Sequence, residues 1–169
     1  MAILDTERLI LRQFTTDDAQ FIFELLNEPS WIQNIGDRHI RTLDDARAYI
    51  VNGPWKSYEK NGFGLWAIVL KETNEMIGMC GLIRRDTLED VDIGYALLPR
   101  FWAKGYAVEA AQAAKDYARE VLGLKRLVAI VDPLNEGSIR VIEKIGLRYE
   151  KMVRLSADDI DLKLFGADL

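Results

Sequence analysis

The 169 residues carry 22 Lys+Arg against 27 Asp+Glu, a formal charge of −5, with 49% hydrophobic residues and 4 Pro. A chain of that length buries enough apolar surface to fold without disulfide or metal; its balance excludes a disordered polymer and argues against a nucleic-acid binder, which would show a basic stripe. With 1 Cys and a single His, no metal centre built from such ligands is expected, and any Ser-His-Asp or Cys-His chemistry would rest on His39 alone.

The first ten residues include Asp5, Glu7 and Arg8, which interrupt any signal-peptide core. Arg8 to Phe14 alternates apolar Leu9 and Leu11 with polar neighbours and predicts a first strand. Thr16 precedes the apolar stripe Phe21, Ile22, Leu25 and Leu26, a helix closed by Pro29. Ser30 to Arg41 reads as irregular. Thr42-Leu43-Asp44-Asp45 opens a second helix as a capping box, with Ala46, Tyr49 and Ile50 on its inner face and Gly53-Pro54 interrupting it before Tyr58. Three apolar runs, Leu65 to Leu70, Met76 to Ile83 and Val91 to Leu98, are spaced as an antiparallel meander. Ala107 to Leu122 is an Ala-rich helix ended by Gly123, and Leu127 to Val131 a buried-type strand. A helix from Asn135 to Lys144, closed by Gly146, and strands around Leu147 to Leu155 and Ile160 to Phe165 complete the chain.

The order β-αα-βββ-α-β-α-ββ predicts an α/β (α+β) fold, a mixed and mostly antiparallel sheet with helices on both faces. No repeat, linker or low-complexity tract divides it, so a single domain over residues 1–169 is expected. The longest uncharged apolar runs fall well short of the about 20 residues that span a bilayer. A soluble, cytoplasmic protein with no membrane and no nucleic-acid partner is the expectation.

Chemistry concentrates between Asp92 and Ala107. The strand around Gly94, whose glycine marks a bulge or a close backbone approach, runs through Pro99-Arg100-Phe101 into Trp102-Ala103-Lys104-Gly105-Tyr106-Ala107 and then directly into the Ala-rich helix. Small Ala103, Gly105 and Ala107 leave the N–H groups of the helix start uncovered, a cradle for an anion such as a pyrophosphate; equally, Gly105 serves a tight strand-to-helix turn. No Gly-Lys-Ser/Thr follows, so this is not a P-loop. A second cluster begins at Asn135, placed to cap its helix, with Ser138 one turn later.

Together, Asp92-Ile93-Gly94-Tyr95, the run Trp102 to Ala110, Asn135-x-x-Ser138 and Glu143-Lys144-x-Gly146-Leu147 resemble the GNAT superfamily of acyl-CoA-dependent N-acetyltransferases. The opening Thr6-Glu7-Arg8-Leu9-x-Leu11-Arg12 is similar to its ribosomal-protein N-terminal acetyltransferase (RimJ/RimL-like) branch. The resemblance covers nearly the whole chain and implies acetyl-CoA as cosubstrate and an amine acceptor, whether a peptide N-terminus, an amino acid or another small amine. It implies that Trp102, Ala103, Lys104, Gly105, Tyr106 and Ala107 hold the pyrophosphate through their backbone, with Trp102 replacing the family's Gln/Arg and Ala103 a frequent Gly. Tyr95, Ala96 and Leu97 would pair with pantetheine, and Asn135 and Ser138 would touch its arm and sulfur end. A homodimer is compatible with this reading.

The family mechanism is direct attack of the neutral amine on the thioester, so Cys80 is expected to be a core residue and not a nucleophile. Candidate bases are Asp92, then Asp90, Asp158 and Asp159, and an Asp92 base is expected to matter most at low pH. The tyrosine that many relatives use as acid falls on Ile142, which leaves Ser138 as its substitute and keeps open a second reading, a catalytically inactive acyl-CoA-binding or interaction module. Acceptor recognition is expected from Pro29 to Arg41 and the last strands. His39 is expected to serve no more than local contacts, and Trp31, Trp55 and Trp66 to be packing residues.

Overall fold

In the computed structural model, which describes residues 2–169, the alternating segment forms strand Leu9–Arg12 (β2), preceded by a strand the sequence did not announce, Ala2–Asp5 (β1), which folds back on it as a hairpin. Thr15, one residue earlier than expected, closes a capping box over a 3-10 turn leading into helix Ala19–Leu26 (α1). Pro29 does not simply end that helix; it occupies the first turn of another, Pro29–Asn34 (α2), where its missing N–H costs nothing. The segment expected to be irregular is therefore partly helical.

Thr42 and Asp45 form the expected capping box of Leu43–Ile50 (α3). Gly53-Pro54 does not interrupt it. The chain widens into a π-helical segment, Val51–Trp55, and continues as Lys56–Asn61 (α4). The wider turn gives the Pro54 ring room and spares the N–H it lacks.

Leu65–Leu70 (β3), Glu75–Ile83 (β4) and Asp92–Leu97 (β5) form the antiparallel meander. Helix Tyr106–Glu120 (α5) lies on β4 and β5 through Ala110, Ala111, Ala114 and Ala118, all fully buried. Arg126–Val131 (β6), Glu136–Lys144 (α6), Arg148–Val153 (β7) and Leu162–Asp168 (β8) follow. The eight strands make one sheet in the order β1-β2-β3-β4-β5-β6-β8-β7, antiparallel except for β5 and β6. The expected mixed sheet with helices on both faces is what forms.

Two apolar clusters fix those faces. Trp66, Ile93, Leu97, Ala111, Ile142 and Phe165 pack on the α5–α6 side, whereas Phe14, Ile22, Ala46, Ile50, Ala67 and Leu98 pack on the α1–α3 side. Gly94 marks no bulge. The β4–β5 register is unbroken through Gly81↔Gly94, and a Cβ at Gly94 would meet the Ile83 side chain at 3.1 Å. Among the described residues no helix is long and apolar enough to cross a membrane.

Candidate active site

Strand β5 leaves one edge free. Val91 O accepts from Val128 N at 3.1 Å and Leu98 N donates to Ile77 O at 2.9 Å. Odd-numbered residues of β5 therefore turn their N–H and C=O towards β6, and even-numbered ones towards β4. β4 pairs along the whole strand, from Ile83↔Asp92 to Gly78↔Leu97, but β6 is in register only at Asp92↔Val128. Beyond that point the parallel strands part. Tyr95 N–H, Tyr95 C=O and Leu97 N–H face the gap, an edge on which an extended ligand can lie as a further strand.

This parity corrects one expectation. Ala96 stands opposite Met79 in the β4 ladder, so its backbone is turned away from the gap and only Tyr95 and Leu97 are available. The Leu97 carbonyl already has a partner, the Trp102 indole Nε1 at 2.9 Å. Trp102 thereby ties the end of the free edge to the loop that follows.

That loop leads into α5 with Ala103 at φ +59° and Gly105 at φ +83°, both in the left-handed region. At Ala103 a side chain adopts a backbone conformation that glycine takes without cost. Gly105 is the N-cap of α5 and no side chain caps the helix. Among the described residues, none of the N–H groups of residues 103–108 donates to a backbone acceptor. Trp102, Ala103, Lys104 and Gly105 are exposed and Tyr106 and Ala107 half-buried. A run of free donors at the positive end of a 15-residue helix is an arrangement that attracts phosphate.

On the facing wall Asn135 Oδ1 accepts from Ser138 N at 3.2 Å, the expected helix cap. Ser138 Oγ lies 2.6 Å from the Tyr95 hydroxyl, which also donates to Ser138 O at 3.1 Å. Tyr95 thus joins β5 to α6 on the α5–α6 face, a side-chain contact the sequence reading did not include. Burial pushes its phenol up to about 12 against the opposing hydrogen bond to Ser138, so it stays protonated and remains a donor. Ile142, one turn beyond Ser138, is buried in the core.

Asp92 is an even-numbered residue of β5 and lies on the opposite face from Tyr95. It is only 1% exposed. Its Oδ1 accepts from Arg85 Nε at 3.1 Å. Burial raises its carboxyl to about 6, the Arg85 charge pulling the other way. Asp92 stands at the one position where β5 and β6 are in register, just before the strands part. Asp90 is instead tied to Arg126 Nε at 3.2 Å. Asp158 and Asp159 are exposed between β7 and β8, where Asp159 accepts from Ser156.

The other singled-out residues are structural or peripheral. Cys80 is fully buried and its thiol is pushed up to about 12 by burial. Trp66 packs edge-on against Tyr117, Trp31 is in the core, and half-exposed Trp55 donates to Phe14 O at 2.6 Å. His39 is exposed at φ +58° and lines a cavity of about 250 Å³ with Arg38, Asp45, Tyr49 and Asn52.

Residues 8–148 match the family described as the acetyltransferase (GNAT) domain. The chain belongs to the GNAT acetyltransferase family. It is similar to the uncharacterized N-acetyltransferase YoaA of Bacillus subtilis, 33% identical over 153 residues covering 90% of this chain and 86% of YoaA. The crystal structure of the acetyltransferase from Agrobacterium tumefaciens superposes with a TM-score of 0.83 at 29% identity, over 99% of this chain and 94% of that one. RimL, a ribosomal L7/L12 α-N-protein acetyltransferase solved in complex with coenzyme A, superposes at 0.85 with 17% identity over 100% and 98% of the chains and shares the fold. This GNAT protein is an acetyl-CoA-dependent N-acetyltransferase.

Proposed function

We propose that acetyl-CoA lies along the free edge of β5 with its pyrophosphate on residues 102–107, and that a primary amine attacks the thioester directly. The observation that carries this reading is continuity: an unpaired strand edge at Tyr95 and Leu97 runs, through the Trp102 to Leu97 hydrogen bond, into the uncapped N–H groups of residues 103–108. Pantetheine amides match the first and phosphate oxygens the second. The Tyr95 N–H, facing the gap, is the donor for the carbonyl oxygen as negative charge grows on it.

The two faces of the sheet divide the proton work. Asp92 serves the amine from the α1–α3 side, and Ser138 with Tyr95 serves the departing thiolate from the α5–α6 side. Asp92 and Tyr95 are three positions apart on the strand, about 10 Å at the usual rise, so the amine proton reaches Asp92 through water. Ser138 hydrogen-bonds the sulfur: when the single proton of the Tyr95 hydroxyl turns from Ser138 O to Ser138 Oγ, 2.6 Å away, the serine proton is free to point at the thiolate. No residue of the chain is acylated.

The acceptor is a protein N-terminus or a small-molecule amine, and the opening motif supports the RimJ/RimL-like branch. An idle acyl-CoA-binding module is disfavoured because Tyr95 brings to Ser138 the phenol that Ile142 does not provide. The test is a panel of amines, peptides included, read by free-thiol release from acetyl-CoA. Release with at least one primary amine supports the reading; acetyl-CoA binding with no release across the panel returns it to the idle module. Gly105→Glu, which puts bulk and negative charge on the phosphate site, is expected to abolish binding.

A further inference from the structure

The first turn of α5 holds a carboxylate, Glu109, one turn from where the phosphates are placed. Left alone it would repel them. It is not alone: Arg8 Nε donates to Glu109 Oε1 at 2.7 Å, Arg8 N to Glu109 Oε2 at 2.9 Å, and Thr6 Oγ1 to the same oxygen at 2.5 Å. Both partners come from the turn between β1 and β2, about a hundred residues away in the chain.

Arg8 also grips the loop itself. Its Nη1 donates to Lys104 O at 3.0 Å, and its guanidinium lies 4.5 Å from the centre of the Tyr106 ring. In a trans peptide the C=O and N–H point opposite ways, so holding Lys104 O towards Arg8 turns the Gly105 N–H away from it. A Cβ on Gly105 would come within 3.2 Å of Arg8 Nη2, so the glycine also makes room for the grip.

We propose that Arg8 is a positioning residue of the phosphate site: it neutralises Glu109 and fixes the Lys104–Gly105 peptide so that the free N–H groups converge on the pyrophosphate. This rests on the reading that residues 102–107 hold the pyrophosphate. One planar guanidinium serves a carboxylate and a carbonyl at once, which a lysine ammonium on a flexible stem does not reproduce.

The test compares Arg8→Ala, Arg8→Lys and wild type with two donors, acetyl-CoA and S-acetylpantetheine, which has the thioester and arm but no phosphate. Arg8→Ala is expected to raise the KM for acetyl-CoA and the Kd for CoA about tenfold or more, the scale for losing hydrogen bonds to a charged group. Its kcat at saturating acetyl-CoA and its kcat/KM for S-acetylpantetheine should stay within about twofold. Arg8→Lys keeps the charge beside Glu109, protects the fold should the alanine variant not fold, and should still lose several-fold in CoA affinity. Equal losses with both donors, or an Arg8→Lys protein that binds CoA as wild type does, overturn the proposal. Failure of wild type to bind CoA would instead overturn the functional reading beneath it.

Discussion

Replacing Asp92 by Asn separates stability from activity at a single buried atom. The carboxyl is raised from its ordinary 3.8 to about 6, first by burial and against the pull of Arg85. The side chain is 2% exposed, so solvent screening is minor. A rise of about two units corresponds to roughly 3 kcal/mol of disfavoured ionisation. Below about pH 4 the group is protonated folded and unfolded and contributes nothing. Between about 4 and 6 the folded state holds a proton that the unfolded state has lost, so stability falls as pH rises. Above about 6 the full cost stands. Asn removes that cost, and Arg85, with a side chain 30% exposed, can be hydrated in its place.

Asp92→Asn is therefore expected to be as stable as wild type or up to about 3 kcal/mol more stable at pH 7.5, a Tm rise of up to roughly 10 °C for a chain of this size, while turnover falls about a hundredfold. Burial also reverses the expected pH dependence. Wild-type Asp92 is already protonated below about pH 6 and has little base function left to lose, so the wild-type to variant rate ratio should be largest above pH 7 and shrink about tenfold per unit below 6. The ratio cancels titration of the acceptor amine. Thermal unfolding together with initial rates from pH 5 to 8.5 measures both effects. A variant that is less stable at pH 7.5, or a rate ratio independent of pH, refutes the assignment.

Ala103→Gly should raise stability by up to about 1 kcal/mol, because it releases an alanine held at φ +59°; a lower Tm would show that the alanine carries no strain. Tyr95→Phe and Ser138→Ala should each lower kcat roughly tenfold with little change in the KM for acetyl-CoA, and the double variant should be no slower than the worse single one, since each breaks the same 2.6 Å contact. Additive losses would mean that the two hydroxyls act separately. Thiol-reactive reagents should neither label Cys80 in the native protein nor inhibit it, given full burial and a thiol near 12; rapid inactivation blocked by acetyl-CoA would contradict this.

Local signals were readable where one segment decides the outcome. The Ala-rich stripe of α5, the Thr42–Asp45 capping box and the Gly105 turn each depend on residues within a few positions, and each forms as read. β1 escaped notice because four residues near a chain end carry little periodicity, and its partner is what makes it a strand. Pro29 and Pro54 have the local signature of breaks, but a proline at a helix start and one inside a widened turn are both compatible with helix. Around the candidate site, the left-handed turn at Gly105 follows from adjacent residues, whereas the contacts that support it come from far along the chain. Which amides of β5 face the gap is set by pairing with β4, so the alternation alone could not remove Ala96. Tyr95 reaches Ser138 across 43 positions and Arg8 reaches Glu109 across 101, distances at which a single sequence carries no pairing signal. Arg12 of the same opening motif is likewise explained only in three dimensions, by its paired hydrogen bonds to Asp18 at 2.9 Å.

The central claim, direct transfer within a complex of protein, acetyl-CoA and amine, is tested most directly by initial rates at varied concentrations of both substrates, using the amine selected by the thiol-release panel. Intersecting double-reciprocal lines, with the protein's intact mass unchanged after incubation with acetyl-CoA alone, are the predicted result. Parallel lines accompanied by a stable gain of one acetyl group on the protein would contradict it.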